Sequence, residues 1–149
     1  MAKYSFREME QRKAEGKLFT DTTRGLVQAT LTKQLVGWLN RSWAINIPKR
    51  FLLEKLIFKK FGMSWIEPPL HVCVGKNTSI GNGCYFNFNC TFVDDGKITI
   101  GDHVLFGPNV TLVTTGHPVH PDIRANGATM YCAPITIQDG AWICSHVTV

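Results

Sequence analysis

The sequence predicts a mainly β fold, a left-handed parallel β-helix preceded by a small α-helical N-terminal segment, on three observations. Apolar residues recur every six positions in three blocks: Val74, Ile80, Phe86 and Phe92; Ile100, Phe106 and Leu112; Ile137, Ile143 and Val149. Within these hexads the second position is often glycine (Gly75, Gly81, Gly101, Gly107), and the fifth is small or β-branched (Thr78, Cys84, Cys90, Val104, Val110, Ala141, Val147). Before about Ile66 the period is helical instead. Six is neither a helical nor a simple alternating period. It fits a coil of three six-residue sides, in which residues eighteen apart stack along a prism axis. Glycine at the corners suits positive φ, which is cheap only without a Cβ. An antiparallel sandwich also has short strands, but its turns would not hold a six-residue beat across three separate blocks.

Residues 1–65 form the helical segment. Ser5 with Glu8 three residues on matches a capping box, and Gly16 is a plausible stop for the helix between. Leu31, Leu35, Trp38 and Leu39 recur at helical spacing, as do Leu53, Ile57 and Phe61 after Pro48, with Gly62 expected to end that helix. This segment carries 13 Lys/Arg against 5 Asp/Glu, whereas residues 66–149 carry 3 against 6. Such a basic stretch could meet nucleic acid or an anionic membrane. Lys49, Arg50, Lys55, Lys59 and Lys60 fit the wet face of a helix equally well, and no recognition motif accompanies them; neither nucleic acid nor membrane is expected as a partner.

The chain of 149 residues, 44% hydrophobic and 18% charged, is enough for one core. No apolar run approaches the roughly 20 residues of a membrane span, and the first residues lack the apolar stretch of a signal peptide, so the cytoplasm is the expected location. Five cysteines without a C-x-x-C pair indicate neither a disulfide framework nor zinc; they read as small buried apolar residues.

The β-helix, expected over residues 66–149, breaks its beat twice. Two extra residues separate Phe92 from Ile100 around Asp94-Asp95-Gly96, and Thr114 to Pro134 lacks a hexad pattern. An excursion of that length from a rigid coil, here about residues 113–134, is where a functional loop is expected. It contains Gly116-His117-Pro118-Val119-His120-Pro121, with Arg124 and Met130 beyond.

Tyr85-Phe86-Asn87-Phe88-Asn89, Val93-Asp94-Asp95, Gly116-His117-Pro118-Val119-His120 and Pro134-Ile135-Thr136-Ile137, with Gly16 to Asp21 upstream, closely resemble the maltose and galactoside O-acetyltransferases. These are a branch of the hexapeptide-repeat acyltransferases that includes the nodulation-type sugar acetyltransferases. The resemblance runs over nearly the whole chain and implies an acetyl-CoA-dependent transfer to a sugar hydroxyl in a ternary complex, without a metal. It implies His117 as catalytic base and Asn87 as transition-state stabiliser and acceptor contact. Asp21, Cys73 and Asp95 match acceptor-binding positions, although relatives usually have Ser or Asp where Cys73 stands. Ser145, Trp142 and Met130 match positions along the acetyl-CoA arm, Cys144 standing where Gly is usual.

Each residue also has a purely structural reading. Asp21 could cap a helix, as could Thr20 or Thr22; Asn87 could be a corner residue, Trp142 packing, Met130 a gap filler, and His117 a partner for a loop carbonyl. A homotrimer with sites between subunits is expected, because a protruding loop by itself encloses no pocket. Relatives continue beyond the position of Val149, so C-terminal coils are expected to be missing from these residues. That leaves a catalytically incomplete trimeric scaffold as the non-enzymatic alternative, and an exopolysaccharide precursor or antibiotic as an alternative acceptor. A carbonic anhydrase on the same prism would need three converging histidines, which the H-x-x-H of His117 and His120 does not supply.

Overall fold

A computed structural model describes residues 5–42, 45–125 and 130–149. Three helices come first: α1 (Phe6–Ala14), α2 (Thr23–Asn40) and α3 (Ile47–Ile57). Ser5 caps α1, its hydroxyl accepting from the Glu8 amide at 3.2 Å, and Gly16 follows the helix end with φ 66°. Thr22, rather than Asp21, caps α2 by accepting from the Gly25 amide at 3.2 Å. Pro48 occupies the first turn of α3, where its missing N–H costs nothing.

From Lys60 the chain winds into three parallel sheets. The first stacks β1 (Lys60–Phe61), β4 (Thr78–Ile80), β7 (Ile98–Ile100) and β12 (Ile135–Ile137). The second stacks β2 (Trp65–Ile66), β5 (Tyr85–Phe86), β8 (Leu105–Phe106) and β13 (Trp142–Ile143). The third holds β3 (Leu70–Val72), β6 (Cys90–Val93) and β9 (Thr111–Val113), continued by a parallel bridge from Thr111 to Thr148. Three sides per turn and parallel pairing throughout these sheets make a β-helix.

The coil differs from the sequence reading in three respects. Its repeat is twenty residues, not eighteen: Ile66 lies on Phe86, Val72 on Phe92 and Ile80 on Ile100. The inward residue of the third side is Val72, not Val74, and one corner per turn takes two extra residues, so Asp94-Asp95 sits over Val74-Gly75 rather than forming a lone bulge. The first strand includes Phe61, so the helix ends before Phe58 instead of at Gly62; Phe61 is buried inside the coil, stacked on Phe58 at 5.7 Å. A two-residue strand is too short to announce itself by period, and Phe61 happened to continue the helical spacing.

The glycines also act differently from expectation. Of the four hexad glycines only Gly75 has positive φ; left-handed corners are made instead by Gly83, His103 and Gly140 on one edge and by Asn89, Asn109 and His146 on another. Gly81 and Gly107 are needed for close approach. A Cβ at Gly81 would lie 2.5 Å from the Gly101 carbonyl oxygen of the next coil, and one at Gly107 would lie 2.6 Å from the Ser145 nitrogen. The fifth-position residues do face inward: Thr78, Cys84, Cys90, Val104 and Val110 are buried, and Phe86 stacks on Phe106 with centroids 4.5 Å apart.

The helices dock on this coil. The Asn40 amide donates to the Leu70 carbonyl at 2.8 Å and accepts from its N–H at 2.9 Å, while the Thr32 hydroxyl donates to the Val74 carbonyl at 2.7 Å. Arg50 is buried rather than on a wet helix face. Its guanidinium donates to the Ile66 carbonyl at 2.6 Å and lies over the Trp65 ring, with Glu54 3.8 Å away. Similarly, Leu31 and Trp38 of α2 are exposed, and Thr32, Val36 and Leu39 are the residues it buries. Among the described residues no helix is long and apolar enough to cross a membrane.

Candidate active site

The two-residue expansion of one corner is what builds the site. Asp94 is fully buried there, its carboxylate accepting from the Val74 and Gly75 amides at 2.7 and 2.8 Å and from the Thr78 hydroxyl at 2.7 Å. Burial pushes its carboxyl up to about 6, against the pull of those donors. With Asp94 turned inward, Asp95 is free to face outward. One coil later the same edge carries Thr114 and Thr115; the Thr115 hydroxyl donates to Asp95 at 2.7 Å, tying this carboxylate to the base of the long loop.

Asp21, Cys73 and Asp95, separated in sequence, line one cavity of about 370 Å³ between α1, the start of α2 and the coil edge. That volume lies at the small end of ligand-binding pockets. Burial raises the Asp21 carboxyl, partly opposed by Lys13. Burial also pushes the Cys73 thiol up to about 11, with Asp95 and then Asp94 adding to it, so at neutral pH it is a neutral weak donor, 3.9 Å from the Asp95 carboxylate. Cys84, Cys90 and Cys132 are buried as expected of small apolar residues, but Cys73 is half-buried and Cys144 exposed.

The long loop is more ordered than its sequence suggests. Its legs β10 (Thr115–Gly116) and β11 (Tyr131–Cys132) pair antiparallel, and a short helix α4 (Pro121–Ala125) spans part of the gap; residues 126–129 lie outside the described residues. A Cβ on Gly116 would strike the Tyr131 ring. Met130 pairs through its backbone with Phe19 at 2.8 and 2.9 Å and packs beside Met9, Phe19 and Cys132. The loop's return is thereby fastened to the segment that carries Asp21.

His117, on the outgoing leg, is exposed, and it is not among the residues lining the Asp21 cavity. Asn87 follows β5 at a different corner, where its side-chain oxygen accepts from the Phe88 amide at 2.9 Å, leaving the NH2 to point elsewhere. Trp142 is 73% exposed and Ser145 is exposed, so packing within the chain does not account for either. The chain thus brings three of the sequence-selected residues together and leaves His117, Trp142 and Ser145 exposed elsewhere, with Asn87 half-buried at another corner. Among the described residues no three His, Cys, Asp or Glu side chains converge as they would around a metal ion.

The sequence reading missed Thr115 and the lysines at this edge. Lys59 and Lys76 line the Asp21 cavity, and with Lys97 they line an adjoining one of about 350 Å³ that shares Asp95. Lys59 looked like part of a helix surface; only the pairing of Lys60 with Ser79 shows that it approaches the edge occupied by the other two.

Comparison with known proteins agrees with this architecture. The chain is 48% identical to the galactoside O-acetyltransferase of Escherichia coli K12 over 143 residues, covering 95% of this chain and 70% of that one. It belongs to the galactoside O-acetyltransferase family. A solved galactoside acetyltransferase in complex with coenzyme A superposes with a TM-score of 0.86 at 46% identity, over 95% of this chain and 71% of the other. A hexapeptide-repeat-containing acetyltransferase of Vibrio cholerae O1 biovar eltor, complexed with acetyl coenzyme A, superposes with a TM-score of 0.74 at 28% identity, over 93% and 78%. No protein-family model matches the sequence. Membership brings with it the hexapeptide-repeat fold.

Proposed function

We propose that this chain transfers the acetyl group of acetyl-CoA to a hydroxyl of a sugar or glycoside, with the hand of its coil left-handed and its sites formed between subunits of a homotrimer. The observation that carries the reading is the convergence of Asp21, Cys73 and Asp95 on one cavity beside the base of the His117 loop, in a chain of this family. Two carboxylates and a thiol are suited to a polyhydroxylated ligand: each carboxylate accepts from hydroxyls, and a neutral thiol adds a weak donor.

In the proposed reaction the acceptor hydroxyl oxygen attacks the thioester carbonyl carbon while His117 takes the hydroxyl proton. An imidazole placed beside the attacking hydroxyl can take up its proton as the new bond forms. Negative charge gathers on the thioester oxygen, where the Asn87 amide would donate; loss of one such donor costs about a hundred- to a thousand-fold elsewhere. Collapse breaks the carbon–sulfur bond, and the imidazolium returns its proton to the departing CoA thiolate. Trp142 and Ser145, exposed on the second sheet and just beyond it, are assigned to the acetyl-CoA arm. Met130, packed against Phe19, contributes by holding the loop.

The test is CoA thiol release with acetyl-CoA and a panel of glycosides. His117→Ala should lower turnover by roughly a hundred- to ten-thousand-fold with little change in acetyl-CoA affinity, because a base acts mainly in the transition state. Near-normal turnover, or an equal loss of binding, would return His117 to a structural role. Thiol release that needs no acceptor would be hydrolysis only.

A further inference from the structure

The lysines at the site edge point to the kind of acceptor. We propose that the acceptor sugar carries an anionic substituent, a phosphate or a carboxylate, bound by Lys59, Lys76 and Lys97 while Asp21, Cys73 and Asp95 hold its hydroxyls. This rests on the acetyltransferase reading above and extends it to the chemical class of acceptor.

The argument starts from register. Lys60 lies on Ser79, which places Lys59 on Thr78, and Thr78 in turn lies on Ile98. Lys59, Lys76 and Lys97 therefore come from three successive coils and stand within a residue or two of one another along a single prism edge. Residues 66–149 hold only three basic residues, and two of them, Lys76 and Lys97, are at this edge.

Three ammonium groups brought together repel one another, and the arrangement costs stability unless an anion is near. Within the chain little neutralises them. Lys13, which lines both cavities, is paired with Glu10 at 3.2 Å, so that acid is already used. Among the described residues Lys59 and Lys97 make no ion pair, and Lys76 donates to the Phe58 carbonyl at 3.0 Å, a neutral acceptor. The remaining acid shared by the two cavities is Asp95, which accepts from Thr115 and faces Cys73. One carboxylate against three lysines leaves this end positive.

The lining changes along the edge, with Lys59, Lys76 and Asp95 common to both cavities. Asp21 and Cys73 line the first cavity only, Lys97 lines the second only, and Asp95 lies at the junction. A neutral glycoside would fill the first and leave the second to water. A sugar with an anionic group at its glycosidic end would fill both, its charge meeting lysines rather than the carboxylates that bind its hydroxyls.

The experiment compares matched acceptors that keep the same ring hydroxyls: methyl galactoside against galactose 1-phosphate, and phenyl galactoside against 4-carboxyphenyl galactoside. Thiol-release kinetics with the whole chain should give a KM roughly ten-fold lower for the anionic member of at least one pair, about what two or three partly screened ion pairs supply. The advantage should shrink as salt is raised. The Lys59→Gln/Lys97→Gln double variant, altered at two exposed side chains, should lose that preference, its KM for the anionic acceptor rising toward that for the neutral one. Which pair responds distinguishes phosphate from carboxylate. Equal KM values, or a preference that survives in the double variant, would overturn the proposal.

Calorimetric titration of the same acceptors in the absence of acetyl-CoA separates this inference from the activity itself. If no acceptor is acetylated, anionic sugars should still bind to the unaltered chain and more weakly to the double variant. Failure of both anionic sugars to bind at millimolar concentration, or binding of inorganic phosphate as tight as that of galactose 1-phosphate, would reject an acceptor subsite at these lysines.

Discussion

Cys73 shows how one side chain can be placed by sequence while its chemistry is set by surroundings. Its half-buried position and the Asp95 and Asp94 carboxylates hold the thiol up at about 11. The thiolate is the reactive form, so Cys73 is a poor nucleophile throughout the neutral range. Alkylation with iodoacetamide at pH 8, followed by peptide mass spectrometry, should therefore label the exposed Cys144 well before Cys73, and the Cys73 rate should keep rising with pH until it levels off near 11. Rapid labelling of Cys73 at pH 8 would mean that the cavity is wetter, or less acidic, than described. Asp21 was legible for a different reason: the motif around it drew attention, and its capping alternative is removed by the Thr22 hydroxyl bond to Gly25. Arg50 was not legible at all. In sequence it is one of five basic residues spread over α3 and just beyond it, and only the docking of α3 against α2 and β2 shows that its two terminal guanidinium nitrogens donate to the Leu39, Ser42 and Ile66 carbonyls.

At the scale of elements, the corner between the third and first sheets decides both the fold's register and the site. Periodicity revealed the strands because each side buries two residues at fixed offsets, such as Cys84 with Phe86 and Cys90 with Phe92. It could not reveal that every coil expands at the same corner, because Val74 in the first expansion is itself apolar and continues the hexad spacing. Asp94 locks that corner. Its folded-state pKa of about 6 lies above the unfolded value of 3.8, so the folded chain holds the proton more tightly. The resulting stabilisation is complete below about pH 4 and is lost as the pH rises through about 6. The Asp94→Asn variant has no such titration, and its NH2 would confront the Val74 or Gly75 N–H, at a cost of about 1–3 kcal/mol. Melting temperatures across pH 4 to 7 should show the unaltered chain's advantage over Asp94→Asn shrinking as pH rises. A constant difference would place that titration on another group.

For the whole molecule, the separation of functional surfaces is the feature that asks for a partner. Asp21, Cys73 and Asp95 share a cavity from which His117 and Asn87 are absent, and the second sheet turns Tyr85, Leu105 and Trp142 outward, all substantially exposed. A transfer reaction needs the base and the bound hydroxyl within hydrogen-bond reach, about 2.6–3.2 Å. If a neighbouring copy supplies His117 to each acceptor cavity, cyclic symmetry makes three equivalent sites from three chains. Light scattering should then give the mass of a trimer at micromolar concentration. The sharper consequence is complementation between two inactive proteins. Asp21→Ala and His117→Ala chains, each nearly inactive as a homotrimer, should recover activity when mixed after dissociation and reassembly, since some interfaces then pair an intact Asp21 with an intact His117. Random assembly of equal amounts leaves one interface in four with both residues intact, so recovery should approach roughly a quarter of the unaltered activity under cyclic pairing. Mixing without dissociation is the control and should recover nothing. If reassembled mixtures also stay inactive while remaining trimeric, Asp21 and His117 serve the same site from the same chain, and the loop must reach its own cavity.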